Sequence, residues 1–309
     1  MKILVLGAGA VGLAVAAKLS HVCDIRAVSR KHTADAILKN GFALTGIWGQ
    51  GVFRFPISDH IPAGEIFDYI IITAKSRDTE TICRDYAEAI KNTETVSLQN
   101  GIGNEEIVSR YADRIIGGMI ITGFEWKGDA AVHVSVEAGP AKIGRFPSGR
   151  DEQVKELEGV MALAGIPIQS TDNIRSELWG KTLYNCALNP LGAIMGVSYG
   201  ELAHPAAWEI ICQIVHEGFS VIQAEGVHLP WNNADQYLEF LRSVQLPATA
   251  LHHSSMLQDI SRGRLTEIDF LNGAIVKKGR EHGIPTPVNS CITNLVKFRE
   301  SLSAKGAVP

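Results

Sequence analysis

The sequence has no basic surplus. Its 29 Lys and Arg face 33 Asp and Glu, for a formal net charge of −4. No basic run is interleaved with aromatics, so nothing supplies the field that a phosphate backbone needs, and nucleic acid is excluded as a partner. Cysteine is scarce: Cys23, Cys83, Cys186, Cys212 and Cys291 lie far apart without a CxxC pair. They read as reduced, mostly buried thiols rather than a disulfide framework. Neither HExxH nor a Cys/His cluster is present, so no metal site is expected. Charged residues make up only 20% against 46% hydrophobic, with 12 Pro, which rules out disorder as the main state. The one long apolar stretch, residues 3–17 behind Met1-Lys2, is too short to cross a membrane. Ala14-Val15-Ala16 imitates a signal-cleavage site, but Gly7, Gly9 and Gly12 would weaken a signal helix. A cytoplasmic protein with no membrane partner is therefore expected.

What is present is a chain of 309 residues with 30 Gly, long enough for two ordinary domains. An aliphatic run at 2–6, a small-residue helix at 11–19 and renewed alternation at 24–28 make a βαβ unit. Aliphatic runs at 69–73 and 95–98, separated by a helical stretch at 78–91, suit a parallel sheet buried on both faces. Residues 115–122, 132–136 and 142–146 are expected to extend that sheet, followed by a helix at 150–164 and a short strand at 167–171. Beyond 172 alternation almost vanishes. Helical segments are expected at about 172–188, 191–203, 205–226, 233–243, 248–261, 267–282 and 287–302, with a frayed tail from 301. The expected fold is α/β: a Rossmann-like doubly wound parallel sheet over 1–170, then an all-helical C-terminal domain over 171–309.

Gly7-Ala8-Gly9-Ala10-Val11-Gly12 fits GxGxxG between a strand and a helix. The first glycine permits the tight turn, the second lets backbone approach a pyrophosphate, and the third allows close helix–sheet packing. An NAD-selective protein would place Asp or Glu at the end of the second strand, whereas this chain has Ser29-Arg30-Lys31. Arg30 is suited to pair with the extra phosphate of NADP, with Lys75 adding a second charge. The bland alternative is a solvated basic turn.

In the helical half, Lys181, Asn185 and Asn189 fall within roughly 80° of one another at about 100° per residue. Their flanks, Trp179, Leu183, Ala187 and Leu188, are apolar, so a polar face stands where burial is expected. Pro190 cannot donate to the Cys186 carbonyl and should kink the helix. Ser255 and Asp259 lie one turn apart. Thr266 can cap a new helix with Asp269 answering it. Glu267 has no such local excuse: a lysine partner and surface exposure are its two readings.

These elements resemble the ketopantoate reductase (2-dehydropantoate 2-reductase) family over nearly the whole chain. The likeness rests on the glycine turn, Lys75, Gln99-Asn100-Gly101, Lys181 with Asn185 and Asn189, Ser255-Met256-Leu257-Gln258-Asp259, Thr266-Glu267-Ile268-Asp269, and Gly283-Ile284-Pro285-Thr286-Pro287. The resemblance implies an NADPH-binding domain, a helical domain and a substrate held between them, in a step of pantothenate and hence coenzyme A biosynthesis. It gives Lys181 as the catalytic lysine and Glu267 as a catalytic or orienting acid that also serves the cofactor site. Asn100 matches the asparagine at the nicotinamide end. Asn185, Asn189, Ser255 and Asp259 match substrate positions, and Arg30 the adenosine-phosphate contact. Trp179, Tyr184, His252 and His253 are expected to vary with substrate, the histidines as a pair on a helix surface.

Hydride transfer to a ketone leaves charge on oxygen that an ammonium can neutralise by donating a proton. Neutral amides and a hydroxyl suit a small 2-keto acid over a bulky apolar ketone. Another NADP-linked 2-keto acid reductase on the same scaffold is the near alternative. A non-catalytic NADPH-sensing module is the remote one, having no reason to keep Lys181, both asparagines and Glu267 together. A helical second domain also offers an apolar face on which two copies could pair as a homodimer.

Overall fold

The structure is a computed structural model that describes residues 1–62 and 64–304. The chain divides into two compact units: Met1–Gln99 with Asn104–Arg175, and Asn100–Gly103 with the chain from Ser176 onward.

The first unit runs β1 (Lys2–Leu6), α1 (Ala10–Leu19), β2 (Asp24–Val28), α2 (Lys31–Asn40), β3 (Phe42–Gly46), β4 (Gly51–Phe53), β5 (Ile57–Ser58) and β6 (Tyr69–Ile72). It continues through α3 (Thr79–Asp85), α4 (Ala87–Ile90), β7 (Glu94–Ser97), α5 (Asn104–Val108), β8 (Ile115–Met119), β9 (Thr122–Gly128), β10 (Ala131–Glu137), β11 (Ala141–Arg145), α6 (Glu152–Leu163) and β12 (Ile168–Ser170). The main sheet has the order β12-β11-β8-β7-β6-β1-β2-β5, and from β8 to β5 every pairing is parallel. β1 shows why: Ile3 and Val5 enter the hydrophobic cluster on one face, Leu4 and Leu6 that on the other. A strand buried on both sides has no polar face to spare. The chain leaves β1 toward β2 on one side and returns as β6 on the other, so the strand order reverses at the carboxyl ends of β1 and β6, where such sheets bind ligands.

Two expectations for this unit need correction. β8 and β11 do extend the main sheet, but β9 and β10 pair with each other and join β3 and β4 in a second sheet of order β4-β3-β10-β9. The cause is non-local: β10 lies parallel to β3, Ala131 opposite Ala43. The helical stretch 78–91 is also divided at Tyr86, whose φ of −116° and ψ of 24° leave the helical region.

The second unit contains α7 (Ile174–Met195, its first two residues counted with the first unit), α8 (Pro205–Ala224), α9 (Ala234–Phe240), α10 (Leu246–Ala248), α11 (Ser255–Ser261), α12 (Asn272–Glu281) and α13 (Pro287–Ala304). Among the described residues it holds no strand. Where two segments were expected around Pro190, α7 is one helix of 22 residues. The carbonyl that proline leaves without its helical donor, Cys186 O, accepts from the buried Asn272 Nδ2 at 3.2 Å. A side chain thus replaces the missing backbone N–H.

Further differences lie in the loops. The segment before α11 is not helical, so His252 and His253 sit in a loop and not on a helix surface, and α12 begins at Asn272 behind a 3₁₀ turn at Ile268–Phe270. Thr266 Oγ1 does accept from Ile268 N at 3.2 Å, whereas Asp269 pairs with Lys297 instead of capping. Helix α13 carries the expected frayed tail on to Ala304, and the rest of that tail lies outside the described residues. Among the described residues no helix is long and apolar enough to cross a membrane, and no group of three acidic, His or Cys side chains could hold a metal.

Candidate functional site

In the first unit the chain leaves β1 at Gly7, whose φ of +67° is a conformation that glycine alone adopts freely. A Cβ there would overlap the Ala74 side chain just past β6. Gly12 is equally constrained, since a Cβ would strike Thr73 Oγ1 and lie 3.0 Å from Val5 Cγ1, so its absence lets α1 sit directly on the sheet. Gly9 differs. Its Cβ would meet only Gly7 O, at 4.0 Å, so protein packing does not require glycine there; the space beside it is open. Gly9 is also the N-cap of α1 without a side-chain cap, which leaves the N–H groups of Ala10, Val11 and Gly12 for an anion at the positive end of the helix dipole. This is a cradle that a pyrophosphate fits.

The turn after β2 is tied to it, with Ser29 Oγ donating to Ala8 O at 2.8 Å and Ala8 N to Val28 O at 2.9 Å. That places Arg30, exposed at the N-cap of α2, beside the glycine turn, while Lys31 is taken up by Asp35 at 2.9 Å. On the other flank Lys75 caps a 3₁₀ turn directly after Ala74. Gln99 Nε2 donates to Ala74 O at 2.9 Å and fixes that end of β6. No acid stands at the end of β2 to repel a phosphate.

The second unit gathers the other candidates into one small pocket with about 230 Å³ of open space, lined by Asn100, Asn185, Asn189, Ser255, Met256, Asp259, Glu267 and Leu271. Asn185 and Asn189 come from the polar face of α7 and are 8% and 5% exposed. Ser255 and Asp259 come from the first turns of α11. Glu267, 8% exposed, is buried as a partner-bearing acid and not a surface one.

Lys181 Nζ donates to Asn100 Oδ1 at 2.7 Å, and Asn100 Nδ2 donates to Glu267 Oε2 at 3.2 Å. Ammonium, amide and carboxylate therefore form one chain of hydrogen bonds. Burial lowers Lys181 to about 8, with the Glu267 charge partly opposing the shift. Asn100 reaches this place because its loop docks on the 3₁₀ turn: Ile102 N donates to Phe270 O at 2.9 Å, and Gly101, at φ +84°, has no room for a Cβ against the same residue.

Some contributors carry no motif signal. Ser254, not Ser255, is the N-cap of α11, accepting from Leu257 N at 3.0 Å and donating to Asn189 O at 3.2 Å. Arg264 Nε lies 3.5 Å from Asp259 Oδ1 and balances that acid. Tyr199 donates to Asn189 Oδ1 from a turn ten residues on. Met256 and Leu271 supply the apolar wall. Of these only Met256 lay in a segment on which the family resemblance rests, Ser255-Met256-Leu257-Gln258-Asp259.

Comparison with known proteins agrees with both halves. Residues 3–148 match the family model described as Ketopantoate reductase PanE/ApbA, and residues 173–300 the one described as Ketopantoate reductase PanE/ApbA C terminal. The chain is similar to the 2-dehydropantoate 2-reductases of Aquifex aeolicus (35% identical, covering 99% of both chains) and Pyrococcus horikoshii (33%, 98% of both). Among solved structures it is similar to a PanE/ApbA family ketopantoate reductase from Ralstonia eutropha (TM-score 0.88, 28% identical) and to a D-mandelate dehydrogenase in a ternary structure with NADH and anilino(oxo)acetate (TM-score 0.90, 27%). Each covers 98% of this chain and 99% of its own.

The open space at Gly9 gives a clean test of the cradle. A methyl placed where the pyrophosphate would approach costs about 1–3 kcal/mol by overpacking, so Gly9→Ala should weaken dinucleotide binding roughly tenfold or more in a fluorescence titration. Its melting temperature should stay within a few degrees of wild type, because no protein atom is displaced.

Proposed function

Because the chain belongs to the ketopantoate reductase family, we propose that its reaction is the NADPH-dependent reduction of 2-dehydropantoate to pantoate. The observation that carries the reading is the Lys181–Asn100–Glu267 chain at the edge of a small pocket lined by two buried asparagines. The bound dihydronicotinamide supplies the hydride. As charge grows on the ketone oxygen, the Lys181 ammonium donates a proton to it. Asn100 holds that ammonium by one hydrogen bond and is itself held by Glu267, so the donor is aimed before the reaction begins. Asn185, Asn189 and Ser255 supply hydrogen bonds to the carboxylate and hydroxyl of the acid. Asp259 does not repel the substrate, since Arg264 compensates its charge.

A second reading is reduction of an aromatic 2-keto acid, favoured by the likeness to D-mandelate dehydrogenase and by the apolar wall of Met256 and Leu271. The two buried asparagines in the pocket lining favour the more polar, hydroxyl-bearing acid. A substrate panel decides: 2-dehydropantoate should exceed both phenylglyoxylate and 3,3-dimethyl-2-oxobutanoate, which lacks only the hydroxyl, in kcat/KM. A site built around a hydroxyl rejects its absence strongly, so the gap should be more than about 10²-fold. Phenylglyoxylate as the best substrate would transfer the assignment to the second reading, and no turnover of any 2-keto acid would leave only a binding module.

The choice of NADPH rests on Arg30 and Lys75 beside the cradle. A charge-assisted bond is worth about 1.5–3 kcal/mol, and solvent screening of the exposed Arg30 draws its share to the lower end. Arg30→Ala should therefore raise the Kd for NADPH about tenfold and leave NADH unchanged; equal losses for both would refute the contact.

The pH dependence follows from Lys181. With its value lowered to about 8, the group is an ammonium below that pH and loses its donor proton above it. Reduction should thus show a kcat/KM plateau below about pH 8 and fall tenfold per unit beyond it. Lys181→Ala should lose about 10²–10⁴ in kcat and the alkaline limb with it, while dinucleotide affinity stays unchanged. A variant retaining a third of wild-type kcat with the limb intact would assign the proton to another group.

A further inference from the structure

We propose that Tyr199 is a positioning residue that fixes Asn189 as a hydrogen-bond donor toward the keto acid, a proposal that rests on the reductase reading above. An asparagine amide is nearly the same shape with its oxygen and nitrogen exchanged, so a pocket that needs a donor at one point must choose the orientation for it. Here the choice is made from behind. Tyr199 is 2% exposed and does not line the pocket. Its phenol donates to Asn189 Oδ1, so that oxygen is engaged and the amide NH₂ is left to the pocket side. In the reverse orientation the NH₂ would donate to the phenol oxygen, and the phenol's own proton, which burial retains by raising the group well above its usual value, would lose the one acceptor it has among the described residues.

The tyrosine is itself held in place. Its N–H donates to His252 O at 3.0 Å, and the next residue, Gly200, donates to Ala250 O at 2.8 Å. Its ring meets Tyr184 and His252 edge-on at 6.1 and 5.3 Å between centroids. Tyr184 in turn shares a hydrogen bond of 3.0 Å with Thr249 Oγ1. Ser254 Oγ holds the Asn189 carbonyl from the other side. The amide is thereby gripped at both its side chain and its main chain, and the pocket accepts an oxygen there, carboxylate or hydroxyl, in preference to a donor.

The experiment is a double-mutant cycle of Tyr199→Phe and Asn189→Ala, read by steady-state kinetics with saturating NADPH and by melting temperature. Phenylalanine keeps the ring contacts and removes one neutral hydrogen bond, so KM for the keto acid should rise roughly three- to tenfold with kcat and the NADPH KM within twofold. In the Asn189→Ala background the same change should add less than twofold, because the group it orients is gone. Asn189→Asp provides an independent arm: it keeps the shape but has no donor, and KM should rise at least as far as in Tyr199→Phe. A wild-type KM in either Tyr199→Phe or Asn189→Asp, or an equal rise from Tyr199→Phe in both backgrounds, would overturn the proposal alone. Absence of turnover with every 2-keto acid would overturn the reductase reading and this one together.

Discussion

A buried ammonium governs the second unit. Lys181 projects from a helix whose neighbouring side chains are apolar, and burying a cation unpaired would be prohibitive. The Asn100 amide accepts from the lysine and donates to the Glu267 carboxylate. Ammonium and carboxylate are thereby coupled through it. Burial outweighs the attraction of Glu267, and the group rests at about 8, close to where a proton donor works best.

Much of the surrounding architecture serves to hold that chain still. Asn100 depends on a loop with a left-handed glycine and a backbone bond to Phe270. The helix that carries Lys181, Asn185 and Asn189 contains a proline directly after Asn189, and the orphaned carbonyl is satisfied by Asn272. Asn272 donates also to Asn289 Oδ1 at 2.9 Å, and Asn289 donates to Glu217, which accepts as well from two backbone N–H groups at the start of α13. The donors of Asn272 and Asn289 and both Glu217 oxygens are satisfied within this network, while Asn272 Oδ1 has no partner. What results is a set of rotamers locked by packing and hydrogen bonds, which is what pre-organised chemistry requires.

The parts legible in the sequence are those written in local spacing. GxGxxG after an aliphatic run gave the cradle, and the i, i+4, i+8 repeat of Lys181, Asn185 and Asn189 gave the polar face, because a helix converts spacing directly into direction. Glu267 was legible by default, having no capping partner that would explain it. What spacing could not carry was pairing between distant segments. The second sheet depends on Ala131 lying opposite Ala43, and no alternation in either strand names its partner. Likewise Ser254 and Ser255 are adjacent in sequence, yet one is a cap and the other faces the pocket, a distinction set by where α11 begins. Tyr199 falls in the expected helical segment 191–203, but α7 ends at Met195 and Tyr199 opens a 3₁₀ turn, so helical spacing could not foretell its bond to Asn189.

Charges of both signs meet around the pocket. Lys181 and Arg264 stand near Glu267 and Asp259, so each acid has a cation close by to offset its repulsion of a carboxylate. Entry of a keto acid adds a negative charge near Lys181, and a nearby anion favours the protonated lysine. On the reductase reading, substrate binding thus strengthens the hold on the proton that the ketone will receive, and hydride arrival then draws it off. Asn100 keeps the ammonium aimed throughout, since it accepts from Lys181 and is itself held by Glu267, so the proton is delivered along a direction set before the substrate arrives.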